Sequence, residues 1–200
     1  MASGRRTEAG GTGRVLPLLA LLLAWTISSS DARATSATNA CENEILRAAQ
    51  RYSIPAGILY AVGLTETGVK GSLQPFALNI AGKAVFAKSR AEAVRLAEEA
   101  AARGVRLVDL GCMQINRRWH GQHFASLDAM LDPAANVDYA ARFLSDLNRR
   151  HEGWTMAVAR YHAGPDNDPA QARYVCRVIR NLVATGFGKW TPNAREFCHE

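Results

Sequence analysis

Glu66 is the residue of this 200-residue chain whose surroundings best suit proton transfer. The run Pro55-Ala-Gly-Ile-Leu-Tyr-Ala-Val-Gly-Leu-Thr upstream of it has apolar residues at helical spacing. Leu59 and Val62 precede Glu66 by seven and four positions, so the three share one helical face. A carboxylate on an apolar face is costly when ionised, and its pKa should rise. Gly68 is a natural stop, which puts Glu66 in the last turn, where the helix dipole disfavours negative charge. A carboxyl that keeps its proton near neutral pH can act as a general acid.

Two further segments carry polar groups suited to a sugar: Gly111-Cys-Met-Gln-Ile-Asn116 and Ala159-Arg-Tyr-His-Ala-Gly164. The Gln114 amide can both donate and accept, which fits hydroxyl and acetamido groups. Glycosidases usually place two carboxylates across the scissile bond, but no convincing second one is found. Asp109 lies in a Val-Asp-Leu strand, where alternation puts it opposite its apolar neighbours, and Asp132 before Pro133 reads as a helix cap. His120-x-x-His123 has no acidic or cysteine partner at ligand spacing, so neither metal nor cofactor is expected. No Gly-x-Ser-x-Gly supports a serine nucleophile.

Together Leu64-Thr-Glu66-Thr-Gly68 and the two later segments resemble, in order, three blocks of the lytic transglycosylases of the lysozyme-like superfamily. Those enzymes carry a Glu-Ser at a helix end, a Gly-Leu-Met-Gln-Ile block and an Ala-Tyr-Asn-Ala-Gly block. The resemblance covers roughly Cys41 to Leu182. It implies a lysozyme-like fold and cleavage of peptidoglycan glycan strands, with Glu66 as donor and then acceptor of the proton. The nucleophile is the substrate's own C6 hydroxyl, so a second carboxylate is not required. The resemblance also implies substrate contacts at Thr67, Met113, Gln114, Asn116, Tyr161 and His162. Met113 equally suits core filling and Asn116 equally suits capping the next helix. The Tyr161 hydroxyl is expected to donate to Glu66, and Gly164 to let backbone approach the saccharide. Three positions depart from the pattern: Thr67 for serine, Cys112 for leucine and His162 for asparagine. The wording of the middle block resembles small members that accompany secretion, conjugation, pilus or flagellar machines. A lysozyme-type hydrolase and a non-catalytic wall-binding scaffold are the alternatives.

The ends and the composition set the setting. Arg5, Arg6 and Arg14 precede the thirteen uncharged residues Val15–Ile27, and an Ala-x-Ala site ends at Ala34. This reads as a secretory signal over residues 1–34, since a bilayer span needs about twenty residues. The expected protein is therefore exported and periplasmic, without a retained span, and a monomer. Setting aside the four arginines and two acids of that segment leaves a net charge of +4 from 24 basic and 18 acidic residues. A mildly basic domain suits an acidic wall polymer, and no Lys/Arg run is dense enough for nucleic acid. Cys41, Cys112, Cys176 and Cys198 suggest two disulfides, with three connectivities open. The expected one is Cys41–Cys198, tying the termini, with Cys112–Cys176.

The elements that must position these groups read as α+β and predominantly helical, in one domain over 41–185. A first helix spans Glu42 to Arg51, and Pro55 suits the first turn of the next. Gln74 to Ala87 reads as a β-hairpin turning at Ala81-Gly82, with a third strand over Val105 to Leu110. Ser89-Arg-Ala-Glu92 is a capping box for a helix to about Arg103, with Val94, Leu96 and Ala97 inward. Further helices are expected from Asp132, over Trp154 to Tyr161, and over Ala172 to Thr185. Residues 186–200 read as a tail, possibly tethered through Cys198.

Overall fold

The computed structural model describes residues 39–200, so the signal segment expected over 1–34 lies outside the described residues. The chain starts with α1 (Ala40–Arg51), capped by the Asn39 side chain, and α2 (Ala56–Thr67), which begins just after Pro55. β1 (Ala77–Ile80) and β2 (Lys83–Phe86) form the expected hairpin, and both turn residues, Ala81 and Gly82, have positive φ. α3 (Arg90–Ala102) follows, then β3 (Val108–Leu110) and β4 (Ile115–Asn116). All pairings are antiparallel, in the order β2-β1-β3-β4.

The second half is helical. α4 (Arg117–His120), a single 3₁₀ turn and α5 (Leu127–Met130) lead into α6 (Pro133–His151). α7 (Trp154–His162), α8 (Asp168–Ala184) and α9 (Pro192–Cys198) complete the chain. α1 packs on α6 and α2, α2 on α8, and α6 and α8 both on α7. The core between them is apolar and close-set: Ile45, Leu59, Val62 and Leu144 have no exposed surface. At Gly63 a Cβ would come within 2.5 Å of the Leu73 side chain, so glycine is what lets α2 sink this deep.

Local hydrogen bonds explain several boundaries. The Ser89 hydroxyl accepts from the Glu92 amide, and the Glu92 carboxylate accepts from the Lys88 amide. Asp132 caps α6 by accepting from the Ala135 amide. α3 turns inward with Ala93, Ala97 and Ala100, whereas Val94 and Leu96 are only half-buried. Small side chains let this helix lie close against β1 and α5, and Arg90 pairs with Asp128 and Asp132 to fasten its start.

Three expectations are corrected. The disulfides are Cys41–Cys112 and Cys176–Cys198, not Cys41–Cys198 and Cys112–Cys176. Cys41 opens α1 beside the segment after β3, and Cys176 on α8 faces the end of α9. Their sequence separations of 71 and 22 imply about 4 and about 3 kcal/mol of loop-closure stabilisation respectively. The residues from 186 onward are not simply a tail, since Thr191 caps α9 and Pro192 fits its first turn. α8 starts at Asp168, four residues before the expected Ala172, because Asn167 supplies a cap there.

Candidate active site

Glu66 ends α2 on the floor of a cleft of about 350 Å³ between the helices and the sheet. Leu59 and Val62 on the same face are fully buried. The Glu66 carboxyl is pushed up to about 7, chiefly by burial and in smaller part by the charge of Asp109. A hydrogen bond from Tyr174 and the nearby Arg177 guanidinium oppose that rise. The result is a carboxyl poised near neutral pH, able to give up and regain a proton. Only glycine fits where this helix ends. A Cβ on Gly68 would lie 2.4 Å from the Leu64 carbonyl oxygen, the acceptor of the Gly68 amide.

The phenol that donates to Glu66 Oε1 is Tyr174 on α8, at 2.5 Å. Sequence reading assigned this to Tyr161, whose hydroxyl instead donates to the Met113 carbonyl at 2.8 Å. Tyr161 still lines the cleft, but its proton is committed to holding the middle block. The His162 ring lies flat on Tyr174, with centroids 4.3 Å apart. Burial, Arg177 and Arg173 push the His162 pKa down, so at neutral pH it covers the phenol as a neutral ring.

Two other assignments change. Thr67 is buried and its hydroxyl donates to the Cys112 carbonyl at 3.0 Å, welding the end of α2 to the middle block rather than meeting substrate. Met113 is fully buried and belongs to the core. Gln114 does line the cleft, with φ of 47°. Its amide nitrogen donates to the Ala77 and Gly111 carbonyls at 3.1 Å each, which leaves Oε1 to accept from a ligand. Asn116 also lines the cleft while capping α4 through the Arg118 amide. Gly164 has open space where a Cβ would be, and its carbonyl accepts from Gln171 at 2.6 Å.

Sequence reading missed Trp119, 60% exposed at the cleft rim with the Arg118 guanidinium over its ring. An exposed indole beside a polar cleft is a stacking platform for a sugar ring. It also missed Asn136, a fully buried amide that fixes the middle block. His120 borders the cleft and shares a hydrogen bond with the Tyr139 hydroxyl at 2.7 Å, and His123 stacks on the same ring. Both histidines are thus packed on Tyr139.

A family model described as the transglycosylase SLT domain matches residues 43–177. The chain belongs to that family. It is a lytic transglycosylase acting on peptidoglycan, with the α+β, lysozyme-like architecture described above. No curated protein and no solved structure matches the chain. The match spans every element that builds the transglycosylase cleft, from α1 to the middle of α8. Among the described residues no helix is long and apolar enough to cross a membrane.

Tyr174→Phe tests how the transglycosylase holds its carboxyl. The phenol stabilises the ionised form of Glu66, so its loss moves the alkaline limb of the activity profile to higher pH. Without this orienting bond, kcat at the optimum should fall on the order of tenfold to a hundredfold. A rate–pH profile on purified peptidoglycan with both quantities unchanged would rule out the assignment.

Proposed function

We propose that this transglycosylase cuts the β-1,4 bond between N-acetylmuramic acid and N-acetylglucosamine and leaves 1,6-anhydromuramic ends. Glu66 gives its proton to the bridging oxygen as the C1–O4 bond breaks. The C6 hydroxyl of the same muramic residue then closes on C1, and its proton returns to Glu66. No water is consumed. The reading rests on one observation above all, a cleft-floor carboxyl poised at about 7 and held by a phenol. Gln114, Asn116 and Trp119 line the cleft, which supports polar contacts of the two amides with the sugar and stacking of the indole on a neighbouring ring.

The protein acts outside the cytoplasm, in the periplasm, after removal of residues 1–34. Two disulfides and the apolar run before Ala34 support that placement. It opens the wall locally, as a monomer, for the assembly of a secretion, conjugation or pilus machine. The wording of its middle block supports this role.

Digestion of purified peptidoglycan followed by mass measurement of the fragments tests the chemistry. The expected fragments are one water lighter than reducing-end products. Reducing ends alone would establish a lysozyme-type hydrolase instead, and no fragments at all a wall-binding scaffold.

A further inference from the structure

Three arginines converge on one hollow beside the cleft. α3 ends at a turn where Gly104 has φ of +77°, and the chain then runs through Val105 and Arg106 into β3. β3 pairs antiparallel with β4, so the residues just before β3 lie beside those just after β4. Arg106 is thereby brought against Arg117 and Arg118 at the start of α4. With Ala101, Gly104 and Val105 they line a space of about 400 Å³ whose wall holds no acidic side chain. Among the described residues no ion pair holds any of these arginines, whereas Arg51, Arg90, Arg95 and Arg180 are each paired. Like charges held this close repel one another, and an anion seated among them relieves that repulsion.

Arg118 joins the hollow to the catalytic cleft. It lines the hollow, and its guanidinium lies 4.7 Å from the centre of the Trp119 ring, which lines the cleft itself. We infer that this hollow takes the carboxylates of a peptide stem, borne by the glycan strand whose sugar stacks on Trp119. Each guanidinium presents a planar fork that matches a carboxylate. The stem is attached to the muramic sugar, so a filled cleft carries its carboxylates to this wall. The enzyme therefore prefers strands with stems over bare glycan. This inference rests on the transglycosylase reading and adds the peptide part of the substrate to it.

The plainer account is that a basic domain draws any acidic polymer to its surface. Three substrates separate the two: purified peptidoglycan, the same glycan stripped of its stems by an amidase, and peptidoglycan whose stem carboxylates are converted to amides. With the full chain, kcat/KM on native strands should exceed that on either of the others about tenfold, chiefly through KM. Arg106→Gln combined with Arg117→Gln should bring that ratio near one, and Arg106→Lys combined with Arg117→Lys should restore part of it. Arg47→Gln combined with Arg149→Gln removes the same charge from α1 and α6, and should leave the ratio at its wild-type value. Equal wild-type rates on all three substrates would overturn the proposal, as would a ratio that falls equally in the α1 and α6 control. Native and amidated stems cut alike, with vesicles of anionic phospholipid binding the wild type but not the Arg106→Gln, Arg117→Gln variant, would overturn it in favour of a lipid headgroup. Should melting curves show that this variant does not fold, the wild type's own three rates decide. Fragment masses from the same digests test the transglycosylase reading separately. Reducing ends would refute that reading and leave the ratio to stand, while anhydro ends with a wild-type ratio of one would refute the stem site alone.

Discussion

Glu66→Gln is expected to lower kcat by at least about a thousandfold while leaving peptidoglycan binding intact. The amide is nearly isosteric and its carbonyl can still accept from Tyr174, so the cleft keeps its shape. What is lost is the titratable proton that Glu66 carries at the end of α2. A second, independent signature follows from burial. The carboxyl titrates at about 7 in the folded chain, against about 4.3 when unfolded. Between those values the folded state binds more protons, so stability falls as pH rises through that window. At about pH 3, below both values, both states are protonated, and the glutamine variant should melt like the wild type. At pH 8 the wild type holds a buried charge, and the variant should melt higher. A variant that retains a tenth of wild-type kcat, or that melts lower at pH 8, would remove Glu66 from its assigned role.

That the acid was legible and its partner was not has a physical reason. Leu59, Val62 and Glu66 share a face within two turns of one helix, and Gly68 marks its end, so local spacing sufficed. The Ser89 and Asp132 caps are local in the same sense. Tyr174 lies 108 residues from Glu66, and on α8 it reads as one more core position between Gln171 and Val178. Only the packing of α8 on α2 decides which of two phenols meets the acid. Asp109 shows the complementary case. Alternation correctly turned it away from Val108 and Leu110, but a strand's second face can be solvent or cleft. The helices laid over the sheet settle that. The cysteines fail for a like reason, because the ends of a chain need not meet in space. Cys41 instead meets a segment 71 residues away.

Asn136→Ala is expected to cost about 4 kcal/mol, the largest stability loss of any cleft-supporting residue, because it strands three buried backbone groups at once. The Asn136 amide nitrogen donates to the Leu110 carbonyl at 2.9 Å and to the Met130 carbonyl at 2.8 Å. Its oxygen accepts from the Met113 amide at 2.9 Å. Every donor and acceptor of that side chain is used, and none of its surface is exposed. The ends of β3 and α5 are thereby tied to the start of α6. Gly111 is shaped around it: φ is +77°, and a Cβ there would lie 2.7 Å from the Asn136 nitrogen. The same tie sets Gln114 and Asp109 relative to Glu66, so kcat should fall together with stability. Asn136→Leu distinguishes lost packing from lost hydrogen bonds. It refills the volume, yet leaves the Met113 amide and the two carbonyls unpaired, so it should recover little. Urea denaturation gives the free energies, and hydrogen exchange at the Met113 amide should become faster in both variants. A cost below about 1 kcal/mol, or a leucine variant as stable as wild type, would mean that packing rather than polar pairing holds the middle block in place.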